Sequence, residues 1–232
     1  MEQIYTIPVN ETFGEYMGHP ECGCPMCRLH RRLEENELDR MLGAALMEPD
    51  VRMETNRQGF CGTHYELMLA RQNRLGLALL EESHLSALQK EIADTPLSHG
   101  GKRAVARIGD LESTCYICQR LEGFFAKMVE TVVLLWANDE AFPEKLKGQN
   151  CFCLPHYRML LVYAEKRLSH KQMNEFAKDL GRVVESYLET LSNDVSWFVK
   201  KFDYRYTDEP WNNAKDAPDR ATKFLRGDLH PH

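Results

Sequence analysis

Residues 24–27 (CPMC) and 59–65 (GFCGTHY) form a pair of motifs that returns at residues 115–118 (CYIC) and 151–157 (CFCLPHY). The CxxC motifs are offset by 91 residues and the CxxH motifs by 92. Within each half, 33 or 34 residues separate the second cysteine of CxxC from the cysteine of CxxH. This matched spacing predicts an internal duplication, in which two halves follow one design.

Each half of this pattern contains the donors for one metal ion. Structural zinc sites commonly use three cysteines and one histidine in a tetrahedron. Residues three apart share a face of a helix, and the helix N-terminus favours thiolate charge. We therefore predict two zinc ions, with an iron–sulfur cluster as the alternative metal centre. Whether the halves share ligands stays open. The predicted ligands are Cys24, Cys27, Cys61 and His64 in the first half, and Cys115, Cys118, Cys153 and His156 in the second.

The composition is that of a soluble globular protein. The 232 residues are 43% hydrophobic and 28% charged, with a net charge of −6. The acidic balance argues against a nucleic-acid partner, which needs a concentrated basic surface. No apolar run approaches the roughly 18 residues of a membrane span, and no secretory signal is visible at the start. We expect a cytoplasmic protein, in which clustered cysteines indicate metal or redox chemistry rather than disulfides.

Apolar residues recur at helical spacing along most of the chain, which predicts an all-α fold. Ser169 and Gln172 form a capping box that opens a long helix. In the first predicted helix, Glu34, Glu35 and Glu37 follow a basic cluster, a pattern typical of a solvated helix face. The other helices are expected over residues 28–47, over 65–92 with a break at 73–76, and over 121–137.

The expected organisation is two duplicated helical half-domains, each with a Cys3His metal site, and a C-terminal docking segment. The first Cys3His repeat covers residues 1–94, the second covers 104–200, and the C-terminal extension covers 201–232. The linker between the repeats is DTPLSHGGKR, in which Pro96, Ser98, Gly100 and Gly101 break any helix. We interpret the extension as a tail docked on the core that ends in a short helix over 218–225. A lid or a partner-binding strap is the alternative.

A few other residues are weaker metal or redox candidates. Cys22 and Cys151 lie two residues before predicted ligands. We interpret them as incidental, with a redox switch that ejects the metal as the alternative. Glu81 and His84 form a lone Glu-x-x-His, which lacks the second copy that a di-iron bundle needs. His19 and His30 flank the first CxxC motif but have no match in the second half.

The predicted sites favour a protein without catalytic activity. Four protein donors around one ion leave no position for water or substrate. The chain also lacks a nucleotide-binding glycine loop and a Gly-x-Ser-x-Gly turn. Our first hypothesis is a non-catalytic zinc protein that acts by binding another protein. The second is a thiol-based redox or metal sensor, and the third is an enzyme or small-molecule binder that uses a cleft between the repeats.

The order of the motifs resembles a known family. CPxC followed by a helix, GFCxxH, CxxC, CLPH and a closing KFDYRxxxEPW resemble a bacterial family of duplicated cysteine–histidine proteins, a domain of unknown function. The resemblance covers residues 7–225 and implies the same eight ligands. It also implies that residues 201–205 (KFDYR) belong to the common design, whereas Cys22 and Cys151 lie outside it.

Overall fold

The computed structural model describes residues 3–19, 21–93 and 101–228, and all regular structure in them is helical, as predicted. Two short 3-10 helices occur at Ala44–Met47 and Tyr204–Tyr206. None of the helices in these ranges is long and apolar enough to cross a membrane. The α-helices are α1 (Gln3–Tyr16), α2 (Pro25–Met41), α3 (Pro49–Gln58), α4 (Gly62–Ala70), α5 (Arg74–Ala93), α6 (Lys102–Ser113), α7 (Tyr116–Asn138), α8 (Phe142–Lys147), α9 (Leu154–Arg167), α10 (His170–Lys200) and α11 (Ala217–Arg226).

Two glycines lie near helix ends at positions where the backbone is too close for a side chain. α2 ends earlier than predicted, and the chain continues after Gly43 as a 3-10 helix. A Cβ at Gly43 would lie 2.9 Å from the carbonyl oxygen of Asp39, too close for a larger residue. The predicted break in the next helical stretch falls between α4 and α5. Gly76 lies in the first turn of α5, where a Cβ would be only 2.7 Å from the carbonyl oxygen of Leu42.

α10 begins at the predicted capping box. The Ser169 N–H donates to Gln172 Oε1 at 3.2 Å, and the Gln172 N–H donates to Ser169 Oγ at 3.4 Å. Two N–H groups at the helix start are thereby satisfied. Phe176, Leu180 and Leu191, which lie at helical spacing along α10, are buried. α10 packs against α8, α9 and α11. It thereby supports α9, whose start carries the predicted ligands Cys153 and His156.

The chain divides by its contacts into two compact units. Unit 1 comprises residues 1–31 and 125–229, and unit 2 comprises residues 32–124. Both boundaries fall inside helices, namely α2 and α7. This division differs from the predicted boundaries because the first CxxC motif belongs to unit 1 and the second to unit 2. The described part of the C-terminal extension, residues 201–228, belongs to unit 1.

The core of unit 1 is rich in aromatic side chains. The Phe13 ring lies 5.0 Å from that of Phe142 and 6.1 Å from that of Phe152. Since Phe152 directly precedes Cys153, this packing fixes the start of α9. α11 docks through Phe224, whose ring lies 5.4 Å from Tyr187 of α10. The predicted docking of the C-terminal segment and its short helix is therefore present.

The core of unit 2 is largely aliphatic. It includes Leu38, Met41, Leu77, Leu80 and Ile117. Three cysteines also pack in or against it, namely Cys61, Cys115 and Cys118. Burial of such side chains is worth about 1.5–3 kcal/mol each before entropy is counted.

Most of the predicted linker cannot be compared with the structure, because its residues 94–100 lie outside the described residues. Pro96, Ser98 and Gly100 are among them. Gly101 is described and has a left-handed backbone with φ of 73°, and α6 begins directly after it.

Candidate metal centres

All four motifs lie at the N-terminus of a helix. In each motif the first residue directly precedes the helix, and the fourth is the third helical residue. Both side chains therefore project from one first turn, where free backbone N–H groups and the macrodipole favour negative charge. The helices that carry the motifs are α2, α4, α7 and α9.

The unit 1 cluster consists of Cys24, Cys27, Cys153 and His156, whose donor atoms all lie within 4.8 Å of one another. His156 Nδ1 is 3.1 Å from Cys153 Sγ, 3.4 Å from Cys27 Sγ and 3.7 Å from Cys24 Sγ. The sulfurs of Cys27 and Cys153 are 3.7 Å apart. All four side chains are buried.

The unit 2 cluster consists of Cys61, His64, Cys115 and Cys118 and has the same form. His64 Nδ1 is 3.2 Å from Cys61 Sγ, 3.3 Å from Cys115 Sγ and 3.4 Å from Cys118 Sγ. The sulfurs of Cys61 and Cys118 are 3.8 Å apart. Here His64 and Cys115 are buried, whereas Cys61 and Cys118 are partly exposed.

The structure thus brings all eight predicted side chains into two groups of four, but it groups them differently from the prediction. Each cluster combines the CxxC motif of one half with the CxxH motif of the other. The sequence pattern places two donor side chains at the N-terminus of each of four helices. It leaves open which two of these N-termini come together to form one cluster. Pairing across the halves occurs because α2 and α9 both belong to unit 1 at their N-termini, whereas α4 and the start of α7 belong to unit 2.

The spacing of the donors fits a single tetrahedrally bound ion. With zinc–sulfur bonds of about 2.3 Å and zinc–nitrogen bonds of about 2.0–2.1 Å, a tetrahedron places sulfurs about 3.8 Å apart. The sulfur–nitrogen separation is then about 3.6 Å. The observed sulfur separations of 3.7 and 3.8 Å agree with this geometry, whereas the sulfur–nitrogen distances of 3.1–3.7 Å are mostly shorter than the ideal value. The sulfur separations are also far longer than a disulfide bond of about 2.05 Å, and all the cysteines are free.

Glu34 orients the imidazole of the unit 2 cluster. Its Oε1 lies 3.4 Å from His64 Nε2, the ring nitrogen that does not face the sulfurs. A carboxylate here favours the tautomer that leaves Nδ1 for a metal. Burial by itself would lower the pKa of His64, but hydrogen bonds with Cys115 and Glu34 raise it to about 10.

The acidic run in α2 differs from the expected solvated face, because Glu34 and Glu37 are buried. Glu37 accepts hydrogen bonds from Arg40 at 2.6 and 3.1 Å and from Arg120 at 2.7 Å. Two guanidinium groups therefore compensate the burial of this carboxylate. The sequence pattern does not indicate this role, because three glutamates within four positions carry no signal of which ones turn inward.

Different groups surround the unit 1 cluster. The backbone N–H of Asp228 donates to Cys27 Sγ at 3.3 Å. Arg31 holds Asp228 through an ion pair at 2.9 Å and a bond to its carbonyl oxygen at 3.1 Å. The His156 ring packs against Phe125 at 5.2 Å. The end of the C-terminal segment thus contacts a ligand thiol, a contact that no sequence motif indicates.

The two clusters differ electrostatically when the protein groups are considered alone. In unit 2, a hydrogen bond with Cys118, assisted by His64, lowers the pKa of Cys115. In unit 1, burial raises the pKa of Cys24 well above its usual value. Burial, with His30 nearby, lowers the pKa of His156 to about 4. A bound cation compensates the burial of three thiolates, so this donor set fits a metal.

The weaker candidates lie outside both clusters. Among the described residues, no other group of three or more metal-binding side chains converges. Glu81, His84, His19 and His30 are therefore not part of a metal site there. Cys22 and Cys151 also lie outside the clusters, but both line a cavity of about 700 Å³ in unit 1.

Comparison with known proteins places the chain within a family but adds no activity. The sequence model of the Family of unknown function (DUF6062) matches residues 1–232. This agrees with the resemblance inferred from the cysteine–histidine motifs. No curated protein and no solved structure matches the chain.

Proposed function

The chain belongs to this family of unknown function, and we propose that it is a non-catalytic zinc protein. In this proposal two structural Cys3His sites hold a helical scaffold that acts by binding another protein. The observation that carries the proposal is the closed form of each donor set, three sulfurs and one nitrogen within 4.8 Å of one another.

Zinc is the metal that this donor chemistry favours. Three thiolates and one imidazole around a single ion are a common zinc set, and zinc has no geometric preference that opposes a tetrahedron. In an iron–sulfur cluster the ligands bind different irons and are spread further apart. The short separations between all four donors therefore support one ion in each cluster.

A structural role follows from where the ligands lie along the chain. Cys27 and Cys153 are 126 residues apart, and Cys61 and Cys118 are 57 apart. A zinc ion that joins such distant segments closes long loops in the folded state. A structural site contributes roughly 10–16 kcal/mol, compared with a typical domain stability of about 5–15 kcal/mol.

The C-terminal segment offers the surface for a protein partner. The buried Lys201 Nζ donates to the carbonyl oxygens of Tyr206, Thr207 and Glu209 at 2.6, 2.8 and 2.5 Å. This arrangement fixes the turn after α10, while Phe202 and Tyr204 stay 75% and 88% exposed. Exposed aromatic side chains on a fixed backbone are typical of protein interfaces, because they bury much apolar area at little entropic cost.

Metal content tests the first part of the proposal. The protein purified without chelator should contain two zincs per chain by elemental mass spectrometry. Cys24→Ser and Cys61→Ser should each contain one, because each removes a donor from a different cluster. Iron with acid-labile sulfide, or a folded wild-type protein without metal, would overturn the zinc assignment.

Partner capture tests the second part. Proteins that cross-link to the zinc-loaded chain in cells should be lost with a Phe202→Ser, Tyr204→Ser double variant. They should be retained with Ile4→Ser, which removes an equally exposed apolar side chain, 72% exposed, from α1. Equal capture by both variants would show that the aromatic surface binds no partner.

A further inference from the structure

The cavity in unit 1 is unusually rich in sulfur. Five of the eight cysteines of the chain line it. Three of them belong to the unit 1 cluster, so the ligand thiols, although buried, lie at the wall of a space of about 700 Å³. The five cysteines are Cys22, Cys24, Cys27, Cys151 and Cys153.

The charges around the cavity favour a cation. Three carboxylates line it, those of Glu21, Asp216 and Asp228, against the two cationic side chains Arg220 and Lys223. Arg220 contacts Asp216 at 3.0 Å, and Lys223 contacts Asp228 at 3.7 Å, so these charges compensate one another and the lining keeps an excess of one carboxylate. Three thiolates around a divalent ion would add a further negative charge. A wall of this sign concentrates cations.

Cys22 and Cys151 are held on the two segments that carry the ligands. Each lies two residues before a ligand, Cys24 or Cys153. The side chain of Asn150 donates to the carbonyl oxygen of Cys22 at 3.1 Å and so ties the two segments together. The two spare cysteines therefore line the same cavity as three of the ligands.

We propose that this cavity is the route by which a divalent thiophilic cation enters and leaves the unit 1 cluster, with Cys22 and Cys151 as transfer ligands. The inference rests on the proposed function, since it takes zinc as the resident ion. Bonds from zinc to Cys22 and Cys151 form as its bonds to water or a carrier break. They break in turn as zinc binds the cluster. Each transfer thiol releases a proton to water when it binds zinc and takes one back when its bond to zinc breaks. The cluster thiols release their protons to water as they bind the ion, and zinc stays divalent throughout.

Unit 2 supplies an internal comparison. Its three cysteines, Cys61, Cys115 and Cys118, are all members of its cluster, so no spare thiol is available there. Exchange of the unit 2 ion should therefore not depend on Cys22 or Cys151.

The test follows zinc transfer from the fully loaded chain to 4-(2-pyridylazo)resorcinol. We expect two kinetic phases, of which one slows about tenfold in Cys22→Ser, Cys151→Ser, in line with the size of effects around metal ligands. The other phase should not change. Ser186→Ala with Thr190→Val, which alters the same cavity without touching a thiol, should leave both phases as they are.

Three results would overturn the transfer role. They are unchanged phases in the double cysteine variant, equal slowing in the serine–threonine control, and loss of one bound zinc in the double variant, which would make these thiols resident ligands. If the double variant does not fold, Cys22→Ser alone is used, since Cys22 is partly exposed, and it should slow the same phase. Fewer than two zincs in the wild-type protein would instead overturn the proposed function.

Discussion

Glu34 Oε1 lies 3.4 Å from His64 Nε2, whereas His64 Nδ1 faces the three sulfurs of the unit 2 cluster. The Glu34 carboxylate is buried. The His64 imidazole lies between this carboxylate and the three cysteine sulfurs. A buried carboxylate behind a ligating histidine increases the basicity of the imidazole and fixes its orientation. This pair is therefore the feature most directly tied to metal binding outside the eight predicted ligands.

Replacing Glu34 by Gln should weaken zinc binding in unit 2 about 10–100-fold, because the amide cannot stabilise the oriented ring as a carboxylate does. Competition with a chelator of known affinity measures the change. Glu35→Gln, one residue further along α2 and less buried, is the matched control and should bind as the wild type does. If both substitutions weaken binding equally, Glu34 acts only through the overall charge.

Lys201→Met should destabilise unit 1. The substitution removes an ammonium that donates to three carbonyl oxygens and lies 5.4 Å from the Trp211 ring centre. A hydrogen bond from a charged donor contributes about 1.5–3 kcal/mol, but water can replace part of it because two of the three acceptor residues are exposed, so we expect a loss of roughly 2–4 kcal/mol. Urea unfolding of the zinc-loaded protein measures it. The exposed neighbour Lys200→Met should change stability by less than about 0.5 kcal/mol, and a similar loss there would contradict this account.

The sequence predicts the residue types of both sites well, and the structure shows why it predicts their pairing poorly. A CxxC or CxxH motif at a helix start is a local property, so the positions of Cys24 and Cys153 before α2 and α9 can be expected from spacing alone. Which helix starts meet depends on packing between segments far apart in sequence. The aromatic contacts of Phe13 with Phe152, for example, have no periodic signal.

The surroundings of the sites were the hardest to predict. Asp228 reaches Cys27 through a backbone N–H, and a backbone group carries no mark in the sequence. Glu34 lies in an acidic run that resembles a solvated face. The start of α10 was easier, because the capping box at Ser169 acts locally.

Gly76→Ala should destabilise unit 2 by about 1–3 kcal/mol, because the new Cβ would meet the Leu42 carbonyl oxygen at 2.7 Å and force the backbone apart. Gly123→Ala in α7 is the opposite case. Nothing lies within 4 Å of its Cβ position, so the substitution should stabilise the helix by about 0.5–1 kcal/mol. Thermal unfolding of the two variants tests the pair, and two shifts of the same sign would refute the steric argument.

Acid should destabilise the protein partly through His84. Burial, followed by the nearby Arg107, lowers the pKa of this imidazole in the folded state. The unfolded chain therefore binds the proton more readily, so the contribution is present above about pH 6.5 and is lost as the pH falls toward the folded-state pKa. His84→Gln should lose less stability than the wild type between neutral and mildly acid pH in denaturant titrations. The exposed His170→Gln should follow the wild-type curve, and identical slopes for all three proteins would exclude this role of His84.

Removal of zinc should unfold most of the chain. Each cluster brings three thiols together. In unit 1, burial raises the pKa of Cys24, so a thiolate there costs free energy unless a cation compensates its charge. A loss of roughly 10 kcal/mol or more per site exceeds what a domain of this size can absorb. Chelator treatment under reducing conditions should therefore lower the far-ultraviolet helical signal sharply. Stoichiometric zinc should restore that signal and magnesium should not, because magnesium avoids thiolate ligands. A metal-free protein that keeps its full helical signal and melting temperature would show that the clusters do not stabilise the fold.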